Sequence, residues 1–269
     1  MLLSACHYQP ERFPENLLLN CIWRITDNNC HVRDEIILPK GTAEIIFNFS
    51  DPVIYRNEAA GVNEKLPVVF INGINTRPFL LRKNGRQNFL GIQLTSLGIR
   101  FLFDVPAEEL NNGVVDISLL CKHLGALSSE LYAKPFSNQV LSILNWLNKK
   151  ISTIPDNRQL LRAERLKCLT AYHNRTIGML SRELSLSQRQ IRRISHEWLG
   201  MSTEEFVQYH KYLASLQLLH DSYQSLTQIG LEAGYYDQSH FIREFKSYTN
   251  LTPSQYRKAN KGIPGHIYF

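Results

Sequence analysis

A chain of 269 residues, 43% hydrophobic and 20% charged, is long enough for two ordinary domains, and its globular composition excludes a disordered or low-complexity protein. Its formal net charge of +6 is unevenly placed: residues 1–156 carry 15 Lys+Arg against 15 Asp+Glu, and residues 157–261 carry 15 against 9, so a polyanion is the natural partner of the C-terminal part. Five cysteines (Cys6, Cys21, Cys30, Cys121, Cys168) without a C-x-x-C pair argue against a disulfide framework or a structural zinc site and fit a reducing cytoplasm, and no stretch approaches the ~20 apolar residues of a membrane helix.

At the start, "LSAC" (Leu3–Cys6) has the outline of a lipoprotein cleavage box, but only five residues precede the cysteine and none is basic, too little for a leader. From Ile22 to about Leu102 the chain reads as short strands punctuated by turns: "EIIFNF" before "SDP", "LPVVFING" before "INTRP", and "NFLGIQL" after "RKNGR". An all-β sandwich or barrel is the expected closure. After Val105–Pro106 the pattern turns helical, and in "SNQVLSILNWLNKKI" the residues Val140, Ile143, Leu144, Leu147 and Ile151 form one apolar stripe. That stripe suits packing within the chain or contact with a second copy, a homodimer. "STIPDN" (Ser152–Asn157), polar and Pro-containing where the charge balance shifts, reads as a linker.

The remainder is expected to be helical. A helix around Ile177–Leu184 breaks at Ser185–Ser187, and Ser187 with Gln190 forms a capping box that starts a second helix, stopped at Gly200. Ser202 with Glu205 opens a long helix carrying Phe206, Tyr209, Leu213 and Leu216 on one face. The first arrangement then returns: a helix near Leu226–Ala233, a turn at Gly234, and a helix capped by Asp237 that runs to about Tyr248. Thr252 and Pro253 begin a short closing helix. The basic half thus holds two helix-turn-helix units, about 177–199 and 225–248, joined by one helix.

A helix that reads DNA must bury one face and offer long polar side chains to the major groove. In the first unit Ile191, Ile194 and Trp198 face inward and leave Arg189, Arg192 and Arg193 outside, where a guanidinium fork matches guanine or phosphate. In the second, Phe241, Phe245 and Ile242 face inward, and Gln238, Ser239, His240 and Arg243 are offered to bases or phosphates. His240 as a general base or metal ligand would need an orienting carboxylate or fellow ligands, which the local sequence lacks.

The stretch "GYYDQSHFIREFKSYTNLTPSQYRK" resembles the signature of the AraC/XylS family of bacterial transcription regulators, and the resemblance runs from about Arg162 to Lys258. Gly234, Tyr235, Asp237, Gln238, Ser239, His240, Phe241, Arg243, Phe245, Lys246, Pro253 and Tyr256 fall at the family's characteristic places. The resemblance implies two helix-turn-helix subdomains, held apart by a long helix, that insert recognition helices into successive major grooves. By position, Arg189, Arg192, Arg193, Gln238, Ser239, His240 and Arg243 would face the DNA. Two departures stand out: Ser185 occupies a turn where the family usually has Gly, so either the turn tolerates Ser or the first subdomain is slightly strained, and Lys211 stands where arginine is common, which puts a structural ion pair in doubt but not the fold.

The N-terminal half is similar, more loosely, to the cupin-like sensory domain of an AraC-type subgroup, through "HYQP", "LPKGTAEIIFNFSDP", "NGINTRP", "LGIQL" and "DVPAEELNNGVVD". The expected division is a cupin-like sensory or dimerisation domain over 1–151, a linker over 152–157 and a DNA-binding domain over 158–262. A metal-dependent cupin enzyme would show a close H-x-H, and His7, His31 and His123 lie far apart. G-x-S-x-G, Walker A and G-x-G-x-x-G motifs are absent, so no enzyme, cofactor or metal is expected. Arg77 in "NTRPF" suits bracing of turn carbonyls or reading of an anion, and Trp23, Phe47 and Phe49 suit a core or a pocket wall. The implied partners are double-stranded DNA, RNA polymerase if the protein activates, a second copy, and a small-molecule effector whose contacts the sequence leaves unassigned. The rival readings are a sensing β protein whose basic helices bind protein or nucleic acid without specificity, and a module for an acidic protein partner.

Overall fold

The computed structural model describes residues 3–95, 97–153, 165, 176–221, 223–259 and 263–268. Two antiparallel sheets face each other at the N-terminal side. One has the order β1 (Leu3–Tyr8), β2 (Leu19–Asp27), β9 (Gln87–Leu94), β4 (Ala43–Asn48), β7 (Val69–Asn72), β10 (Val114–Asp116). The other runs β11 (His266–Tyr268), β3 (Arg33–Ile37), β8 (Phe79–Lys83), β5 (Val53–Asn57), β6 (Val62–Lys65). The expected β-sandwich is therefore present, and the strands anticipated in "EIIFNF", "VVFIN" and "NFLGIQL" are β4, β7 and β9.

The first sheet is covered on both faces. Ile45, Phe47, Leu90, Ile92 and Leu94 point to helices α3 (Lys122–Tyr132) and α4 (Phe136–Ser152), while Phe70 and Phe89 point to Ile37, Val53, Tyr55 and Phe79 of the second sheet. Double burial explains why β9 reads as a nearly continuous apolar run rather than an alternation. Val140, Ile143 and Leu147 of the α4 stripe are buried in this core and Leu144 and Ile151 pack against it, so the stripe is covered within the chain. Phe47 is core, Phe49 stacks beside it, and Trp23 sits between the sheets with its indole N–H donating to Glu44 Oε1 at 3.1 Å.

Two expectations need correction. The run of strands breaks at Leu94, not near Leu102, before β10 resumes the first sheet: the Gly98 amide closes a turn onto the Thr95 carbonyl at 3.0 Å, and Gly98–Phe103 (α2, after the short α1, Glu15–Leu18) is a helix that buries Ile99 and Leu102. The chain also does not finish with its closing helix, because β11 returns to the second sheet and pairs His266 with Ile37, Ile267 with Ile36 and Tyr268 with Glu35. The expected linker lies largely outside the described residues, as does Cys168.

The helical region comprises α5 (Ile177–Leu184), α6 (Gln188–Leu199), α7 (Thr203–Asp221), α8 (Leu226–Glu232), α9 (Gln238–Thr249) and α10 (Pro253–Ala259). Its core is continuous with that of the sandwich: Tyr209, Tyr212, Leu216, Phe241, Phe245 and Tyr256 belong to the same buried cluster as Ile45 of β4 and Leu90 and Ile92 of β9. Burial of each such side chain contributes about 1.5–3 kcal/mol. Helix α7 is hydrogen-bonded to the N-terminal domain: Tyr209 donates to the Asn75 carbonyl (2.6 Å) and accepts from the Gly41 amide (2.9 Å), and Tyr212 donates to the Pro39 carbonyl (2.9 Å). Gly41 has φ +71°, a left-handed backbone that glycine adopts without strain, and a Cβ there would press on the Leu213 side chain of α7.

Candidate nucleic-acid interface

The first reading helix, α6, is fixed at both ends by local chemistry. Ser187 and Gln190 form the expected capping box, and Gly200 ends the helix at φ +67° with its amide donating to the His196 carbonyl at 3.1 Å. Ile191 is fully buried, Leu199 is buried, and Ile194 and Trp198 are half-buried. Arg189, Arg192 and Arg193 are exposed on the other side. Arg192 Nη2 meets Glu204 Oε1 at 3.3 Å with both side chains more than half exposed, a surface pair that a phosphate can displace at little cost.

The inner face of this unit is not closed by the helical region alone. Leu180 and Ile191 form one cluster with Leu17 and Leu97 of the N-terminal domain, and Asn111 Nδ2 donates to the Gly200 carbonyl at 3.1 Å. Sequence reasoning missed Leu17 and Leu97, because a contact between residues so far apart along the chain leaves no mark on local periodicity.

The second reader, α9, is capped by Asp237, whose carboxylate accepts from the His240 amide at 2.7 Å. Phe241 and Phe245 are fully buried, with Phe241 against Tyr235 (5.3 Å) and Phe245 against Tyr212 (5.6 Å) and Tyr256 (5.8 Å). Ile242, expected inside, is half-buried. Gln238, Ser239 and Arg243 are exposed, and half-buried His240 stands edge-on to Tyr235 at 5.4 Å. Thr227 donates to Gln238 Oε1 at 2.6 Å and holds the amide at the start of the helix. Burial raises the Tyr235 hydroxyl pKa, so the phenol stays neutral. Tyr236, 88% exposed beside Gln238, was not singled out from sequence; the signal was a second tyrosine in "GYYD" with no helical-face partner.

The two units differ in their turns. Gly234 takes φ +88° in the second, whereas Ser185 takes φ +53° in the first, so the departure noted in the sequence falls at a left-handed residue. Six of the seven expected contact residues are therefore exposed on two capped helices whose opposite faces are packed, and His240 is half-buried beside them. A cleft of about 480 Å³ opens where the N-terminal domain meets both units, lined by Thr76, Arg77, Asn111, Asn112, Tyr209 and Tyr248 among others. Arg77 is exposed at this cleft and braces no carbonyl among the described residues. Among those residues no group of three or more His, Cys, Asp or Glu is placed to hold a metal.

Two capped helix-turn-helix units on one connecting helix define a DNA-binding architecture. Residues 180–259 match a family model described as a helix-turn-helix domain, and residues 16–116 match one described as a domain of unknown function (DUF6597). The chain is 37% identical over 83 residues to an uncharacterised HTH-type transcriptional regulator of Haemophilus influenzae, covering 31% of this chain and 28% of that one. It is 20% identical over 197 residues to the uncharacterised HTH-type transcriptional regulator YdeC of Bacillus subtilis, covering 70% and 67%. Among solved structures, ToxT from Vibrio cholerae aligns over 97% of this chain and 99% of its own at 18% identity, with a TM-score of 0.48. The chain thus carries a helix-turn-helix domain of the AraC type, and proteins similar to it through that domain are named transcriptional regulators.

Proposed function

We propose that this protein is a sequence-specific DNA-binding transcriptional regulator that acts in the cytoplasm and places α6 and α9 in successive major grooves of one duplex. The observation that carries this reading is the pair of helices with packed inner faces and polar outer faces that carry arginine: Arg189, Arg192 and Arg193 on one, Gln238, Ser239, His240 and Arg243 on the other. Arginine pairs bidentately with guanine O6 and N7, glutamine with adenine, and the shorter Ser239 and His240 suit bases or phosphates at the helix start. Phosphate contacts set the register and base contacts select the site. The N-terminal domain, with its cleft at the junction of both units, takes the part of effector sensor, and a small molecule held between Arg77 and Tyr248 would touch both partners at once.

The test is capture of fragments from a sheared bacterial genome by the full chain at about 150 mM salt, followed by footprinting of whatever is enriched. Two protected blocks about 10 bp apart, centre to centre, are expected. Uniform protection that moves with protein concentration and vanishes with salt would reduce the helices to non-specific cations.

A further inference from the structure

We propose that residues 263–268 are a latch, a strand that leaves the helical region, completes the second sheet of the N-terminal domain, and lets go on acidification. The strand follows α10, and it is tied to that helix because the Gly265 amide donates to the Tyr256 hydroxyl at 3.1 Å. On the other side the Leu38 amide donates to the Gly265 carbonyl at 2.8 Å, and three residue pairs continue the ladder along β3. Ile267 is 2% exposed and plugs the joint core. Tyr256 is packed on Phe245, so the latch fastens the inner face of the second reader to the sandwich.

A ladder of three pairs at a sheet edge is at the short end for a stable strand, and such elements open first. What fastens this one is polar. His266 Nδ1 donates to Glu35 Oε1 at 2.6 Å, and His266 Nε2 accepts from the Lys40 ammonium at 3.3 Å, the arrangement of a neutral imidazole. Glu35 also pairs with Lys83 of β8, and Lys40 lies 3.7 Å from Glu44 of β4. Tyr268, on the same strand, stacks 6.3 Å from the imidazole. Glu44 in turn accepts from Trp23 and from Gln93 (3.4 Å), so the chain of charges runs from the space between the sheets to the tail.

Burial, aided by the charge of Lys40, lowers the pKa of His266 against the pull of Glu35. Burial works to raise Glu35, but the hydrogen bond from His266 and the charge of Lys83 overcome it and hold the carboxyl at about 2. A histidine lowered in the docked form excludes a proton there, so docking is complete above its free value near 6.5 and weakens as pH falls below it. Protonation would also place a second cation against Lys40. Glu35 keeps its charge through this range, so the imidazole is the sensing member.

Control of the second reader by the latch rests on the DNA-binding reading; the docking does not. The test is hydrogen–deuterium exchange on the full chain, corrected for intrinsic rates, without DNA, so a failed latch and a failed DNA reading are told apart. Protection of the β3 amides that face β11, Leu38 among them, is expected to fall up to about tenfold from pH 7.5 to pH 5.5, the limit for one excluded proton a pH unit below 6.5, while the β3 amides bonded to β8 and those of β4 and β9 hold. A chain stopped after residue 262 should lose that protection at both pH values. His266→Gln, whose amide can donate to Glu35 and accept from Lys40 without titrating, should keep it at both. Unchanged protection in the shortened chain, or an undiminished pH response in His266→Gln, would overturn the latch.

Discussion

The hydroxyl of Tyr209, in the helix that joins the two readers, donates to the backbone carbonyl of Asn75 in the N-terminal domain, 2.6 Å away. The same oxygen accepts from the Gly41 amide, and burial keeps the phenol protonated by raising its pKa. One side chain therefore satisfies a buried carbonyl and a part-buried amide of the other domain. Tyr209→Phe leaves both unpaired and is expected to cost about 1–3 kcal/mol, read from the urea midpoint with an unchanged slope. A variant as stable as the parent would show that water replaces the hydroxyl without loss.

Leu17, 2% exposed, packs with Leu180 and Ile191 although it belongs to α1 of the N-terminal domain. Leu17→Ala is expected to destabilise by about 2–5 kcal/mol through lost burial and a residual cavity. Its effect on DNA should be lopsided: footprints should weaken over the block read by α6 and persist over the block read by α9. Equal weakening of both would place Leu17 in general stability only.

Ser185 holds φ +53° without a side-chain hydrogen bond among the described residues. A left-handed backbone costs an L-residue about 1–2 kcal/mol, and glycine is exempt but loses more entropy on folding, so Ser185→Gly should gain up to about 1 kcal/mol. Calorimetry should show a rise in Tm of a few degrees, roughly 2–4 °C for a chain of this size, with DNA affinity unaltered. A fall would mean that the serine side chain stabilises the turn.

Arg189 and Arg243 are exposed and carry no ion pair among the described residues. Each changed to alanine should cost about 1–3 kcal/mol at the selected site while leaving the fold intact. Comparison with random DNA assigns the contact: a loss confined to the selected site marks a base, and an equal loss on both marks a phosphate.

The parts legible in the sequence were those fixed by neighbours along the chain. Ser187 with Gln190, Asp237, Gly200 and Thr252 each set a helix end through bonds within four residues, and all four act where the spacing put them. The alternation of Phe241 and Phe245 with Gln238, Ser239 and Arg243 separated inner from outer face for the same reason. What escaped depended on distant partners. The "HIY" of β11 is too short to announce a strand and forms one only because β3 offers an open edge. Leu17, Leu97 and Gly41 look ordinary in sequence and become contacts of the helical region only when the two halves close on each other.

The most direct test of the central claim is selection of bound sequences from a random duplex pool by the full chain at about 150 mM salt, where screening suppresses bare charge attraction. The account predicts a motif of two short blocks about one helical turn apart, with the information in one block lost in Arg189→Ala and in the other lost in Arg243→Ala. A pool that returns with no enriched motif, or a motif indifferent to both arginines, would contradict it.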